Sequence, residues 1–177
     1  GTPMYPAWVF EKIGCFDEEL IRNQDDDFNF RVTKAGGKIW YNVSISLKYY
    51  VRGSISQLWK QFMQYGYWKV YVNKKHKAVT TLRQLVPPLF VLFLFVVPFL
   101  FLIHVLLGFV GLSFLGMYVL LGLLVTSRIA ESVSEFNRIF VIFPILHISY
   151  GWGYLKGIGT FLIANRKPGD KYKNMSR

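Results

Sequence analysis

Apolar and polar positions divide this chain unevenly. From Leu85 to Val125 there are about 41 consecutive residues in which His104 is the only acidic or basic side chain. A helix crossing a bilayer needs about 20 apolar residues, so the run accommodates two antiparallel passes. Helices are predicted over about 86–107 and 111–127, with Gly108 and Gly111 supplying a tight reversal. Pro87 and Pro88 stand at the start of the first pass, where a missing amide hydrogen costs little. Pro98 lies inside it, where a kink is expected. A third apolar block, Ile139 to Ala164, is interrupted by Pro144, His147, Gly151, Gly153, Lys156, Gly157 and Gly159. A re-entrant or interfacial placement of this block is favoured over a third full pass. A third pass would carry the basic tail from Asn165 to Lys173 outside, against the positive-inside tendency.

Ahead of the apolar run, Ser54 to Val72 has the period of an amphipathic helix. Ile55, Leu58, Trp59, Phe62 and Met63 recur at helical spacing, and Gln57, Gln61, Gln64 and Trp68 mark another face. With Lys60, Lys69, Lys74, Lys75 and Lys77 nearby, the segment suits a membrane interface. Residues 1–53 are polar and too short for a complete domain. Within them Ala7 to Lys12 is weakly helical and Gly14 breaks it, while Asp25 to Ala35 gives a stronger helix with Phe28, Val32 and Ala35 at helical spacing and Gly36-Gly37 as its stop. Lys38 to Tyr50 alternates loosely and is rich in Tyr, Val and Ile, which predicts one or two strands. The fold class expected is therefore an α/β fragment followed by α-helical membrane segments. Its parts are the N-terminal portion 1–53, an interfacial helix and basic linker 54–84, a two-pass hairpin 85–127, a polar loop 128–138, a third membrane or re-entrant segment 139–164 and a basic tail 165–177.

Charge sharpens this picture. Of the 10 Asp and Glu residues, 7 lie in the first 27 positions, and none falls between Phe28 and Ala130. Eleven Lys and Arg occupy Arg31 to Arg83, a positive field suited to phosphates of lipids or of a nucleotide diphosphate. Nucleic acid is rejected as the partner, because the basic stretch runs directly into an apolar segment that a soluble nucleic-acid domain would not tolerate. No secretory signal is expected at this N-terminus, whose residues are polar and acidic. The single cysteine, Cys15, forbids an intrachain disulfide and reads as a small core residue between Gly14 and Phe16. His104 reads as interfacial or facing a partner helix, and His76 as solvated among lysines. His147, a polar group in an apolar block, would either serve a function or belong to helix packing through small residues.

The densest chemistry is at Asp25, Asp26 and Asp27, at the start of the predicted helix. One Asp suffices as a cap, and three adjacent carboxylates repel one another unless cations or hydroxyls fill the space between them. Consecutive residues at a helix start point to different sides, so one can face a cleft while another caps. Arg31, one turn after Asp27, reads as its ion-pair partner.

The order Val9-Phe10-Glu11-Lys12-Ile13-Gly14-Cys15-Phe16-Asp17-Glu18-Glu19-Leu20, then Asn23-Gln24-Asp25-Asp26-Asp27-Phe28-Asn29-Phe30-Arg31, then Lys34-Ala35-Gly36-Gly37-Lys38-Ile39-Trp40, resembles the C-terminal part of the catalytic domain of bacterial family-2 glycosyltransferases. The likeness is to the polysaccharide-assembly type related to succinoglycan synthesis. Tyr65-Gly66-Tyr67-Trp68 and the run His147 to Gly157 look like membrane-proximal motifs of the same group. The resemblance implies a GT-A-like domain and an inverting transfer of sugar from a nucleotide-sugar donor to a lipid-linked or polysaccharide acceptor. It implies a multi-pass protein of the inner cell membrane with its catalytic part cytoplasmic.

By that resemblance Asp25 is the candidate general base, with Asp26 and Asp27 as alternatives, and Gln24 stands where Glu is commoner. Gln24, Gln64 and Trp68 are the candidate substrate-binding residues. Gln64 to Trp68 is similar to the Gln-x-x-Arg-Trp motif of processive synthases, with Tyr67 replacing Arg. The Asp-x-Asp motif that holds a divalent cation, Mg2+ or Mn2+, with the nucleotide diphosphate is expected upstream, and no metal ligands are expected in this chain. The chain is accordingly expected to be a fragment without the donor-binding half and inactive alone. The rival expectation is a non-catalytic small membrane protein or transporter subunit, whose acids cap a helix and whose basic belt binds lipid.

Overall fold

A computed structural model of the chain describes residues 3–46, 48 and 53–168. Its helices run α1 (Ala7–Ile13), α2 (Gln24–Lys34), α3 (Ile55–His76), α4 (Val86–Ile103), α5 (Val105–Ile129) and α6 (Val133–Gly157). A 3-10 turn, Leu82–Leu85, leads into α4, and a π-helical turn, Ile158–Ile163, continues α6.

Local chemistry accounts for most of the boundaries. Gly14, at φ 85°, ends α1. Past the end of α2, Gly36 takes φ 84° and its N–H donates to the Thr33 carbonyl, while the Gly37 N–H donates to that of Val32. These paired bonds satisfy carbonyls left over by the helix end, in the geometry that favours glycine. Ser54 caps α3 by accepting from the Gln57 N–H at 3.3 Å. Pro87 and Pro88 occupy the first turn of α4, where no intrahelical amide bond is lost.

Three expectations are corrected. There is no strand or sheet among the described residues, so the chain is all-helical there and not an α/β fragment. Residues 38–46 are irregular and exposed, with Trp40 at 90% accessibility. Alternation makes a strand only when a neighbour accepts its ladder bonds and covers one face, and no strand lies beside this segment among the described residues. Leu47, Tyr49 and Tyr50, the rest of the expected strands, fall outside the described residues. The reversal between α4 and α5 is at His104, which adopts extended backbone and caps α5 by accepting from the Leu106 N–H at 3.2 Å. Gly108 and Gly111 are inside α5, where they let it pack closely on Phe101, Val97 and Leu100 of α4. Cys15 is exposed, because the chain turns outward after Gly14.

The helices that matter for the site meet through glycine. A Cβ at Gly66 of α3 would overlap the Tyr150 carbonyl of α6, one at Gly153 the Met63 carbonyl, and one at Gly151 the Pro87 carbonyl of α4. Backbone thus approaches backbone, as small residues allow between membrane helices. Around this seam Leu20, Tyr67, Trp68, Val70, Val72, Tyr154 and Phe161 form the larger buried cluster. Leu20 enters it from the acidic loop before α2. A second cluster of Val9, Phe28 and Val32 fastens α1 to α2.

Leu82–Ile103, Val105–Ile129 and Val133–Ile163 are each long and apolar enough to cross a membrane. The third is one unbroken α-helix through Pro144 and its glycines as far as Gly157. It meets the hairpin through Gly151 on Pro87 and Val91, His147 on Phe90 and Tyr118, and Phe140 on Gly122, all toward the end of the hairpin remote from His104.

Because the obstacle at Gly66 and Gly153 is backbone and cannot rotate away, Gly66→Ala or Gly153→Ala should each cost about 1–3 kcal/mol, the usual range for overpacking. Gly116→Ala, with nothing within 4 Å, should be neutral. Thermal unfolding of the detergent-solubilised protein reads all three, and equal melting temperatures would refute the seam.

Candidate functional site

The three aspartates at the start of α2 go three separate ways. Asp27 points inward and is fully buried. Asp26 is half-exposed and accepts from Lys69 Nζ of α3 at 2.8 Å. Asp25 is exposed and makes no hydrogen bond or ion pair with any described residue. The helix start is fixed without using any of the three as a side-chain cap. Asn23 adopts left-handed backbone at φ 62°, and its Nδ2 donates to the Tyr65 carbonyl of α3 at 3.0 Å.

Asp27 is the electrostatic centre. Its Oδ2 accepts from Arg31 Nε at 3.0 Å, and its Oδ1 lies 2.9 Å from Lys75 Nζ and 2.8 Å from His76 Nε2. The sequence-predicted pairing of Asp27 with Arg31 is present. His76, expected to be solvated, is instead packed against Phe30 and turned onto this carboxylate. A ring nitrogen beside a buried anion gains more there than in water. Burial by itself raises the Asp27 pKa. The hydrogen bonds from Lys75 and His76, with the charges of Lys75 and Arg31, outweigh it and hold the carboxyl below its ordinary range. Lys75 is affected in the opposite sense: burial lowers its pKa, and the bonds to Asp17 and Asp27 more than restore it, so the net shift is upward. The network extends outward through Lys75 Nζ to Asp17 at 2.6 Å, and through Arg31 to the carbonyls of Ile13 and Cys15, each at 2.8 Å.

Beside the aspartates is a cleft of about 490 Å³ lined by Asn23, Asp25, Asp26, Tyr65, Lys69, Thr81, Arg83, Gln84, Pro87 and Tyr150. It lies where α2, α3 and α6 meet the start of the first candidate span. Of the residues singled out from sequence, Asp25 and Asp26 line it. Gln24 sits at the rim of the helix with Nε2 donating to the Leu20 carbonyl at 2.5 Å. Gln64 is buried and accepts from Arg22 Nε at 3.1 Å. Trp68 is 1% exposed, in the α3–α6 core among Tyr67, Tyr71 and Phe161. The cleft-lining Arg83, Gln84 and Asn23 were not foreseen as site residues. Arg83 could have been found as the last cation before the apolar run; Gln84 carried no comparable signal. His147 lies elsewhere, with Nδ1 3.1 Å from the Tyr118 hydroxyl, on an apolar cavity of about 380 Å³ between α5 and α6.

No group of three or more His, Cys, Asp and Glu among the described residues is placed to hold a metal ion. Asp26 and Asp27 are already engaged by cations, which leaves Asp25 alone.

Fold and site together define a helical protein with candidate membrane spans and a carboxylate-and-cation cleft at the mouth of the first. In sequence it is glycosyltransferase-like. The chain is 34% identical over 79 residues to the succinoglycan biosynthesis protein ExoA of Rhizobium meliloti, covering 45% of this chain and 24% of that protein. It is 31% identical over 154 residues to a dolichyl N-acetyl-alpha-D-glucosaminyl phosphate 3-beta-D-2,3-diacetamido-2,3-dideoxy-beta-D-glucuronosyltransferase of Methanococcus voltae, covering 82% of this chain and 43% of that enzyme. The chain therefore spans less than half the length of these curated relatives. No established family profile and no solved structure matches it. The resemblance to succinoglycan-type glycosyltransferases read from the residues is borne out by these matches.

The Asp27 network sets a pH window. A carboxyl held below its unfolded pKa contributes stability above about pH 4 that is lost as pH falls through the folded value. Lys75, held above its unfolded value, contributes below about pH 10 and loses that as pH rises through its own folded value. Asp27→Asn should cost about 3 kcal/mol, the low end for breaking a buried pair because the cations are partly exposed, and should flatten the acid limb of stability. Melting temperature measured against pH for both proteins checks this; parallel curves would refute it.

Proposed function

We propose that this chain is the acceptor-side part of a membrane-bound inverting glycosyltransferase. Sugar passes from a nucleotide-sugar donor to an acceptor carried by a lipid or a growing polysaccharide. The observation that carries this reading is the unengaged Asp25 carboxylate on the cleft, next to an ion-paired Asp26 and ahead of a buried Asp27. A general base needs a free carboxylate within reach of the proton it takes, and of the three only Asp25 offers one.

In the proposed reaction the acceptor hydroxyl sits in the cleft against Asp25. As its oxygen attacks the anomeric carbon, the proton moves to the carboxylate and the nucleoside diphosphate leaves from the opposite face. Lys69 holds Asp26 in place, and the Asn23 bond to Tyr65 keeps the first turn of α2 against α3. The described residues do not make a cation site, and none of these steps is assigned to one. The relative in Methanococcus is named for acting on a dolichyl phosphate-linked sugar, and an acceptor of that kind, a sugar on a long-chain alcohol phosphate, fits a cleft opening at the start of a membrane span. The catalytic part then faces the cytoplasm at the inner membrane.

Transfer from radiolabelled nucleotide sugars into membrane lipid or polymer, by the complete gene product and its Asp25→Asn variant, tests the reading. A fall of about 10²- to 10⁴-fold is expected, the usual contribution of a general base, with membrane insertion unchanged. Unchanged transfer would remove Asp25 from the role. Absence of transfer by either protein would favour a non-catalytic membrane protein.

A further inference from the structure

Gln84 is buried at 6% accessibility on the wall of the cleft, and its Nε2 has no hydrogen-bond partner among the described residues. Its orientation is fixed by a chain of bonds starting from the backbone. The Thr80 N–H donates to Asn73 Oδ1 at 3.4 Å, which turns the Asn73 amide so that Nδ2 is its free end. Asn73 Nδ2 then donates to Gln84 Oε1 at 3.1 Å and to the Tyr154 hydroxyl at 3.1 Å. With its acceptor committed to Asn73, Gln84 keeps one unused donor, an atom with almost no open surface until the amide turns toward the cleft. A buried donor without an acceptor is costly to keep, so the position calls for a ligand oxygen.

Next to it is Arg83, a cleft-lining side chain that is exposed and forms no ion pair with any described residue. Lys69 lines the same cleft but is engaged by Asp26. Of the two carboxylates on the cleft, Asp26 is thereby neutralised, and Asp25 is left to face the acceptor hydroxyl. Arg83 is the second residue of the first candidate span, Leu82–Ile103, so a membrane crossing that starts there would put the pair at the height of a lipid headgroup phosphate. Pro87 and Pro88 remove the amide donors that the first turn of α4 would otherwise offer. An anion here is therefore met by side chains, with Arg83 supplying a planar set of charged donors and Gln84 a single neutral one.

We propose that Arg83 and Gln84 form a phosphate subsite, which grips the phosphate of a membrane-embedded long-chain alcohol phosphate and so sets the acceptor sugar against Asp25. This deepens the acceptor reading above and rests on it. The same phosphate chemistry could come from a free nucleoside diphosphate, so the test has an arm for each source.

Binding of farnesyl phosphate, farnesol and UDP to the complete gene product in detergent is measured by thermophoresis, for the wild type, Arg83→Ala and Gln84→Glu. Gln84→Glu keeps the acceptor for Asn73 and turns the free donor into an anion, so it probes the subsite without emptying the core. Farnesyl phosphate should bind at least about tenfold more tightly than farnesol, UDP should not displace it, and each variant should lose about tenfold or more, as expected for a charge-assisted bond. Equal affinity for farnesol, variants that bind like the wild type, or displacement by UDP would each overturn the subsite. Transfer assays separate this from the enzymatic reading. Arg83-dependent lipid phosphate binding in a protein that transfers no sugar would leave the subsite standing without the transferase. Normal transfer with an unchanged acceptor KM in Arg83→Ala would leave the transferase without the subsite.

Discussion

The arrangement depends on one buried carboxylate. Asp27 has no exposed surface, and an uncompensated charge there would be several kcal/mol too expensive to keep, by the usual penalty for a buried ion. Its neutralisation comes from two directions: Arg31 belongs to the same helix, while Lys75 and His76 end α3. The carboxylate can be satisfied from both sides only if α2 lies against the end of α3. The same cations reach further, Arg31 to the backbone after α1 and Lys75 to Asp17, so the loop between α1 and α2 is held by the groups that neutralise Asp27.

That constraint explains why three adjacent aspartates can coexist. Once Asp27 is turned inward, helical geometry places its two predecessors on other sides of the first turn, about 100° apart per residue. Asp26 meets Lys69, two turns along α3 from the Asp27 partners, and Asp25 is left to the cleft. The repulsion expected of three neighbouring carboxylates is thus relieved by unequal treatment: one is surrounded by cations, one is paired and one is hydrated. The loop is held independently by Leu20 in the α3–α6 core, by the bond from Arg22 to Gln64 and by that from Asn23 to Tyr65.

What the sequence revealed and what it hid follow the same division. α2 was legible almost to the residue, because its signals are local: helical spacing of Phe28 and Val32, the Gly36-Gly37 stop and an i,i+4 pair between Asp27 and Arg31. His76 was misread because its partner lies 49 residues away and nothing near it in the chain shows a carboxylate. Gln84 and Asn73 escaped notice for the same reason, since neutral amides acquire a role only when packing orients them. The glycines of α5 were read as a turn because glycine serves both turns and close packing, whereas His104 could end one helix and cap the next through its ring nitrogen. Lys38 to Tyr50 had the composition of one or two strands, but composition cannot supply a partner strand.

The glycine seam determines how firmly the site is held. Tyr65 and Lys69 flank Gly66 on α3, and Tyr150 of α6, whose carbonyl faces Gly66, lines the opposite part of the cleft. The distance across the cleft is therefore set by backbone meeting backbone, with no long side chain in between to change rotamer. Gly151 fixes α4 against α6 in the same way through the Pro87 carbonyl, and the segment bearing Arg83 and Gln84 leads directly into that turn. Two such contacts locate three helices around one space. The base role proposed for Asp25 would tolerate only about 0.5 Å of play, the range within which catalytic constellations are held. Close-packed glycines provide that rigidity with no covering sheet among the described residues, which is how an exposed carboxylate on a short surface helix can still be aimed.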